Sequence, residues 1–287
     1  MKYYILFLLF IAHLQSQSIN HEYRINWSEQ VSGVTTALNC ITSDPHNLAA
    51  IYVCGKNGVV LKSLVPGNEW MNIGINGIPD NIKLYTISTI TPNIVVTAGN
   101  IGNVTYVYRS DNGGLNWNLV FTQNEGKINI VYLGYNYSSI MIGNPVAGRW
   151  SIWKSVNAGQ SWDSTGMYLP QNENEAGFPN SYAGSFFYDR FCFGTDNHRI
   201  YSTSNYGTNW VPQYLPDENI YSISSTGPYL LCGGVNLFSS SDYGQVWSPE
   251  VSPGTGNING IAFPGIMIIT PSDDLSNSPT FLVRNDN

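Results

Sequence analysis

The chain has 287 residues, a formal net charge of −7, 11% charged and 13% aromatic residues, 28 Gly and 19 Tyr. So few charges and so many aromatic and turn residues exclude a protein built of helices with i,i+4 ion pairs, and favour strands and tight turns. The acidic balance gives no basic footprint for nucleic acid or an anionic membrane.

Residues 1–18 read as a secretory signal peptide. Lys2 is followed by the apolar run Tyr4–Ala12, and Ser16-Gln17-Ser18 supplies small residues at a cleavage site. The run is shorter than the roughly 20 residues that a spanning helix needs. Residues 19–287 are expected to form one domain, exported to the cell surface, the periplasm or the medium, with no membrane span.

Within that domain one eight-residue pattern occurs five times: Ser63–Trp70, Ser110–Trp117, Ser155–Trp162, Thr203–Trp210 and Ser240–Trp247. A Ser or Thr opens each copy, Gly67, Gly114, Gly159, Gly207 and Gly244 hold the fifth place, and Trp70, Trp117, Trp162, Trp210 and Trp247 the eighth. The third place is Asn112, Asn157, Asn205 and Asp242, with Val65 departing. Hydroxyl, amide and carboxylate side chains here accept backbone N–H bonds, Gly permits positive φ, and the Trp opens the next strand. The pattern resembles the Asp-box, or bacterial neuraminidase repeat. That resemblance implies a structural turn between the third and outermost strands of a propeller blade, not a catalytic residue.

The motif Trp residues are spaced by 47, 45, 48 and 37 residues, and Trp27 lies 43 before Trp70. A period in the forties with several short strand signals per unit means a blade. In chain order the strands are residues 36–43, 49–55, 58–63 and 70–73; 84–90, 93–99 and 104–110; 128–134, 139–143 and 150–155; a fourth unit from the stretch after 180; 219–225, 229–234 and 236–240; and 257–263, 265–271 and 280–287. The last unit has three strands, and the segment Tyr23–Glu29 with Trp27 is expected to add the fourth and close the ring. The expected fold is an all-β, six-bladed propeller. The alternative is a fragment of a larger propeller protein.

Cys54, Cys192 and Cys232 fall at or near a Gly that ends an apolar run, the place of small buried hydrophobes. Cys40 lies in the strand before Cys54, and a disulfide between them stays open. The His residues are scattered, and neither metal nor cofactor is expected.

Candidate ligand groups sit in two long stretches on the face opposite the repeated turns. Residues 143–149 carry Asn144 and Arg149. Residues 170–180 carry Glu173, Glu175 and Asn180, and the loop 195–199 adds Asp196, His198 and Arg199. They come from neighbouring units, so a cation and carboxylates converge there, as a site for a sugar or an acidic group requires. Glu175 is the carboxylate expected to reach the channel.

The spacing over Gly55–Trp70 is similar to that of the photosystem II stability and assembly factor propellers, and residues 144–148 and 175–178 resemble segments of that wider group. This implies a binding scaffold without catalysis, although six Arg in all give no arginine-rich surface. The sialidases share the Asp-box propeller, and Tyr23–Asn26 resembles their Tyr/Phe-Arg-Ile-Pro signature with Asn26 in place of Pro. The expected function is a secreted propeller that binds a protein or glycan on the face opposite the repeated turns. A glycan-cleaving hydrolase, sialidase-like or another glycosidase, is the alternative.

Overall fold

In a computed structural model, the chain divides into two compact units, Met1–Val31 and Ser32–Asn287. The structure describes residues 30–43, 50–64, 69–134, 137–184, 190–217, 219–251, 256–262, 266–272 and 282–285. The signal-peptide and closing-strand expectations, and Gly67 of the first turn, lie outside the described residues. No helix among the described residues is long and apolar enough to cross a membrane.

The second unit consists of antiparallel strand groups taken in chain order. The first holds β1 (Leu38–Ser43), β2 (Ile51–Gly55), β3 (Val60–Ser63) and β4 (Met71–Asn72). The second holds β5 (Lys83–Thr89), β6 (Val95–Ile101), β7 (Val104–Ser110) and β8 (Asn118–Asn124). The third has β9 (Ile128–Leu133), β10 (Ser139–Val146) and β11 (Arg149–Ser155). The fourth comprises β12 (Gly177–Gly184), β13 (Phe191–Thr195), β14 (Arg199–Thr203) and β15 (Val211–Tyr214). The fifth comprises β16 (Ser222–Thr226), β17 (Tyr229–Gly233), β18 (Leu237–Ser240) and β19 (Ser248–Glu250). The last has β20 (Asn257–Ala262), β21 (Ile266–Ser272) and β22 (Leu282–Asn285).

Each strand pairs with the next by short connections, and the groups meet through their first strands. β1 lies against β5, β5 against β9, β9 against β12, β12 against β16 and β16 against β20. Burial is deepest in the second strands and least in the fourth. All but the last residue of β6 are buried, whereas every residue of β19 is exposed. The alternating side chains of the middle strands therefore fill the spaces between successive groups, as where Ile130, Trp150, Phe193 and Tyr201 form one cluster across the third and fourth. This sheet-on-sheet packing of meandering groups is a β-propeller.

The repeated turns have the geometry their chemistry demands. In the second group Ser110 Oγ accepts the Gly114 N–H at 2.8 Å and donates to Asn112 Oδ1 at 2.9 Å. Asn112 Oδ1 in turn accepts the Asn116 N–H at 3.0 Å. Ser155 with Asn157, Thr203 with Asn205, and Ser240 with Asp242 repeat these bonds. Gly114 has φ +91°, and a Cβ there would meet Ile73 Cδ1 at 2.1 Å, so this position favours Gly. Trp117 is buried, and its indole N–H donates to Ile73 O of the preceding group at 3.0 Å.

The third group departs from the pattern. Its fourth strand is reduced to two isolated bridges, Lys154 with Asp163 and Arg149 with Pro170. Between them Asp163 Oδ1 accepts the Thr165 N–H and hydroxyl, and Gly166 takes φ +76°. That local turn lifts the chain away from β11 between the bridges.

All four cysteines are buried thiols. Cys40 and Cys54 face one another as register partners on β1 and β2. Burial pushes the Cys40 and Cys54 thiols up in pKa, which disfavours the thiolate that exchange chemistry needs.

Candidate functional site: the rim between the third and fourth strand groups

The β10–β11 turn, the segment 170–177 and the β13–β14 turn meet on the side opposite the repeated turns. Ala147 and Gly148 hold φ 51° and 79° in the first, Glu173 holds 54° in the second, and His198 holds 60° in the third. These left-handed residues reverse the chain sharply and bring the three segments together.

At their centre is Glu175, which is 1% exposed. Its Oε1 accepts the Trp150 indole N–H at 2.9 Å, the Tyr201 hydroxyl at 2.6 Å and the Asn172 N–H at 3.0 Å. Its Oε2 takes the Arg199 guanidinium at 3.2 Å. The carboxylate expected to reach the channel is instead inside the protein, where it joins β11 to β14. The physical reason is a desolvated charge that needs donors on both oxygens, and these four supply them.

Arg199 is buried beside it. Its Nε donates to the Tyr214 hydroxyl at 3.1 Å, its guanidinium lies 5.0 Å from the Tyr214 ring centre, and Glu173 is 3.7 Å away on the solvent side. Burial lowers the Arg199 pKa, but Tyr214 and Glu175 outweigh it and the net shift is upward. Tyr201 is raised by burial first and by the Glu175 carboxylate next. Both groups therefore hold their protons, Arg199 as a cation and Tyr201 as a donor.

Asn144 and Asp196 are likewise engaged within the protein. Asn144 Oδ1 accepts Asn129 Nδ2 at 2.5 Å and the Gly177 N–H at 3.1 Å, which ties β10 to β12. Asp196 Oδ1 accepts the Ala176 N–H at 2.6 Å. Asn180 lies on β12. Arg149, Glu173 and His198 are the exposed members of the set. Glu173 also accepts Asn197 Nδ2 at 2.5 Å. Arg149 stands at a cavity of about 220 Å³ whose wall includes Gln123, Trp150, Trp153 and Met167.

The convergence expected of the three stretches is thus present, but most of its polar atoms face one another. Sequence reasoning missed Trp150 and Tyr201, which lie 25 and 26 positions from Glu175. Both read simply as strand residues, and an apolar strand carries no mark of which indole or phenol has a buried acceptor.

No family model matches the sequence, and no curated protein matches it. The chain is similar to YCF48 from Cyanidioschyzon merolae at 13% identity, over 82% of this chain and 92% of that one, with a TM-score of 0.47. It is similar to the GH74 xyloglucanase from Xanthomonas campestris at 13% identity, over 81% of this chain and 43% of that one, with a TM-score of 0.60. A Dos1 propeller matches at 12% identity, over 86% of this chain and 70% of that one, with a TM-score of 0.56. The chain spans less than half the length of the xyloglucanase, and at these identities the likeness to the last two shows that the fold is a β-propeller.

Proposed function

We propose that the chain is a secreted, non-catalytic propeller whose turns are of the Asp-box kind and which holds a protein or glycan partner at the rim bearing Arg149, Glu173 and His198. The observation that carries this reading is the engagement of Glu175. A general acid or nucleophile must reach a substrate atom, and this carboxylate spends its acceptor capacity on Trp150, Tyr201, Asn172 and Arg199. The exposed groups left at the rim are a planar cation, a carboxylate and an imidazole, which suit polar recognition.

The second reading is a glycan-cleaving hydrolase, since a xyloglucanase carries the same fold. It needs two carboxyl groups on opposite sides of a bond, about 5–9.5 Å apart. Glu173 and Glu175 belong to one segment and share one arginine, which favours the first reading.

A glycan array and a glycosidase-substrate screen on the exported protein separate the two. Binding without turnover, weakened about ten-fold or more by Arg149→Ala, is the expected result. Hydrolysis of any glycan, abolished by a substitution at Glu173, would overturn it.

A further inference from the structure

The same joint has another end, on the side of the repeated turns, and there it is open. In the first two joints a cation placed just before the turn reaches across to the next group. Lys62 Nζ donates to Gly113 O at 2.9 Å, and Arg109 Nε donates to Ala158 O at 2.9 Å. Lys154 holds the equivalent place in the third group, yet its Nζ turns back to Thr165 O at 3.1 Å. Between the third and fourth groups lies a cavity of about 380 Å³, a size usual for small-ligand sites, which span roughly 300–1,000 Å³.

A second feature accompanies this cavity. The fourth place of the repeated turn is left-handed in each described copy, with φ 70° at Gly113, 52° at Ala158, 57° at Tyr206 and 64° at Tyr243. Gly takes that conformation without strain, and a bulky side chain does not. Tyr206 and Tyr243 nevertheless occupy it; the Tyr243 ring lies under Arg190, whereas Tyr206, 46% exposed, lines the cavity. Strain kept where it presents a ring to a cavity points to use of the ring.

The rest of the wall gives the ligand its chemistry. Phe191 and Ile140 add apolar surface, Asn205 and Thr208 bring an amide and a hydroxyl, and Lys154 and Arg190 bring two positive charges. Arg190 lies 4.4 Å over the Tyr243 ring and Lys154 acts electrostatically on Asp163, its bridge partner, but neither cation is within ion-pair distance of a carboxylate among the described residues. In a chain of net charge −7, two such cations at one mouth select an anion.

We propose that this cavity binds an acidic sugar, a uronate unit of a polysaccharide. The apolar C–H face of the pyranose lies on Tyr206, its hydroxyls meet Asn205 and Thr208, and its carboxylate sits between Lys154 and Arg190. A ring face beside short hydroxyl and amide groups matches a pyranose better than an acidic peptide, whose carboxylates hang on flexible stems. The site shares no residue with the rim, so the failure of either reading leaves the other standing.

The test is calorimetric titration with oligogalacturonate and oligoglucuronate, with neutral cello-oligosaccharide and poly-glutamate for comparison. Parent protein is expected to bind a uronate oligomer, more weakly as salt rises, and the neutral oligomer at least ten-fold less tightly. Tyr206→Gly relieves the backbone, so it should melt at the parent temperature or above while uronate affinity falls ten-fold or more. Lys154→Gln and Arg190→Gln should each weaken binding and flatten its salt dependence, whereas Lys56→Gln, an equal charge loss at an exposed site elsewhere, should change neither. No binding of either uronate oligomer, tighter binding of poly-glutamate, or unchanged uronate affinity in Tyr206→Gly would each overturn the proposal.

Discussion

The two ends of the joint between the third and fourth strand groups solve the same packing problem with different chemistry. At the rim the groups are clasped by ions: Arg199 and Glu175 are both buried, and the carboxylate is shared among Trp150, Tyr201 and Asn172. At the other end the chain is held by neutral bonds, Ser155 Oγ to the Gly159 N–H and Thr203 Oγ1 to the Gly207 N–H. The hydroxyls of those turns are satisfied internally, and the nearby cations Lys154 and Arg190, which form no ion pair among the described residues, line a cavity. An end that uses its charges to fold has few left for a ligand, and an end folded by neutral groups keeps its charges available.

The most direct way to break this contrast is Glu175→Ala. It strands the buried Arg199 guanidinium and removes the acceptor of Trp150 and Tyr201, with Glu173 as the remaining carboxylate on Arg199, at 3.7 Å. Breaking a buried pair from one side costs about 3–5 kcal/mol. Urea denaturation should show a loss of that size. A change under about 1 kcal/mol would mean that the rim is not clasped by charge.

How far each end could be read from the chain alone follows from the distance over which its bonds act. The turn at Ser110 is complete within seven residues, since Gly114, Asn112 and Asn116 supply every partner of its hydroxyl and amide oxygens. Local chemistry of that kind is legible in the residues themselves. The period of the Trp residues likewise foretold the strand groups, because each group repeats one meander. The role of Glu175 was not legible. Three of its four partners come from β11 and β14, and the same polar loop sequence would suit a solvated rim equally well. The missing fourth strand of the third group was also hidden, because Trp162 keeps its place in the pattern while Asp163, Thr165 and Gly166 turn the chain aside. Tyr206 was visible as a letter in the turn, but the strain it bears depends on a backbone angle.

The neutral end is broken more gently. Thr203→Val keeps the shape of the side chain and removes the oxygen that accepts the buried Gly207 N–H at 3.0 Å and the Asn205 N–H at 3.3 Å. Leaving a buried donor unpaired costs about 1–2 kcal/mol. Thermal or urea unfolding should report this loss. A loss as large as that of Glu175→Ala would erase the distinction between the ends.

The smallest effect sharpens the comparison, because one described turn carries a charge at its third place. Asp242 stands where three other copies have Asn, and its Oδ1 accepts the N–H groups of Val246 at 2.9 Å and Gln245 at 3.0 Å. Burial alone would raise its pKa. The N–H of Val246, the Ser240 hydroxyl and the N–H of Gln245 outweigh it, and the net shift is downward from 3.8. A carboxylate lowered by folding stabilises the protein above its unfolded pKa, and that contribution is lost as pH falls through the folded value. Asp242→Asn offers the same acceptor without the charge, as Asn112, Asn157 and Asn205 do in their turns. At pH 7 the variant should unfold within about 0.5 kcal/mol of the parent. As pH drops below the ordinary aspartate range the parent should lose stability relative to the variant, since the shared carboxylates cancel in the difference. A difference between the two that stays constant down to acid pH would show that the turn draws nothing from the charge of Asp242.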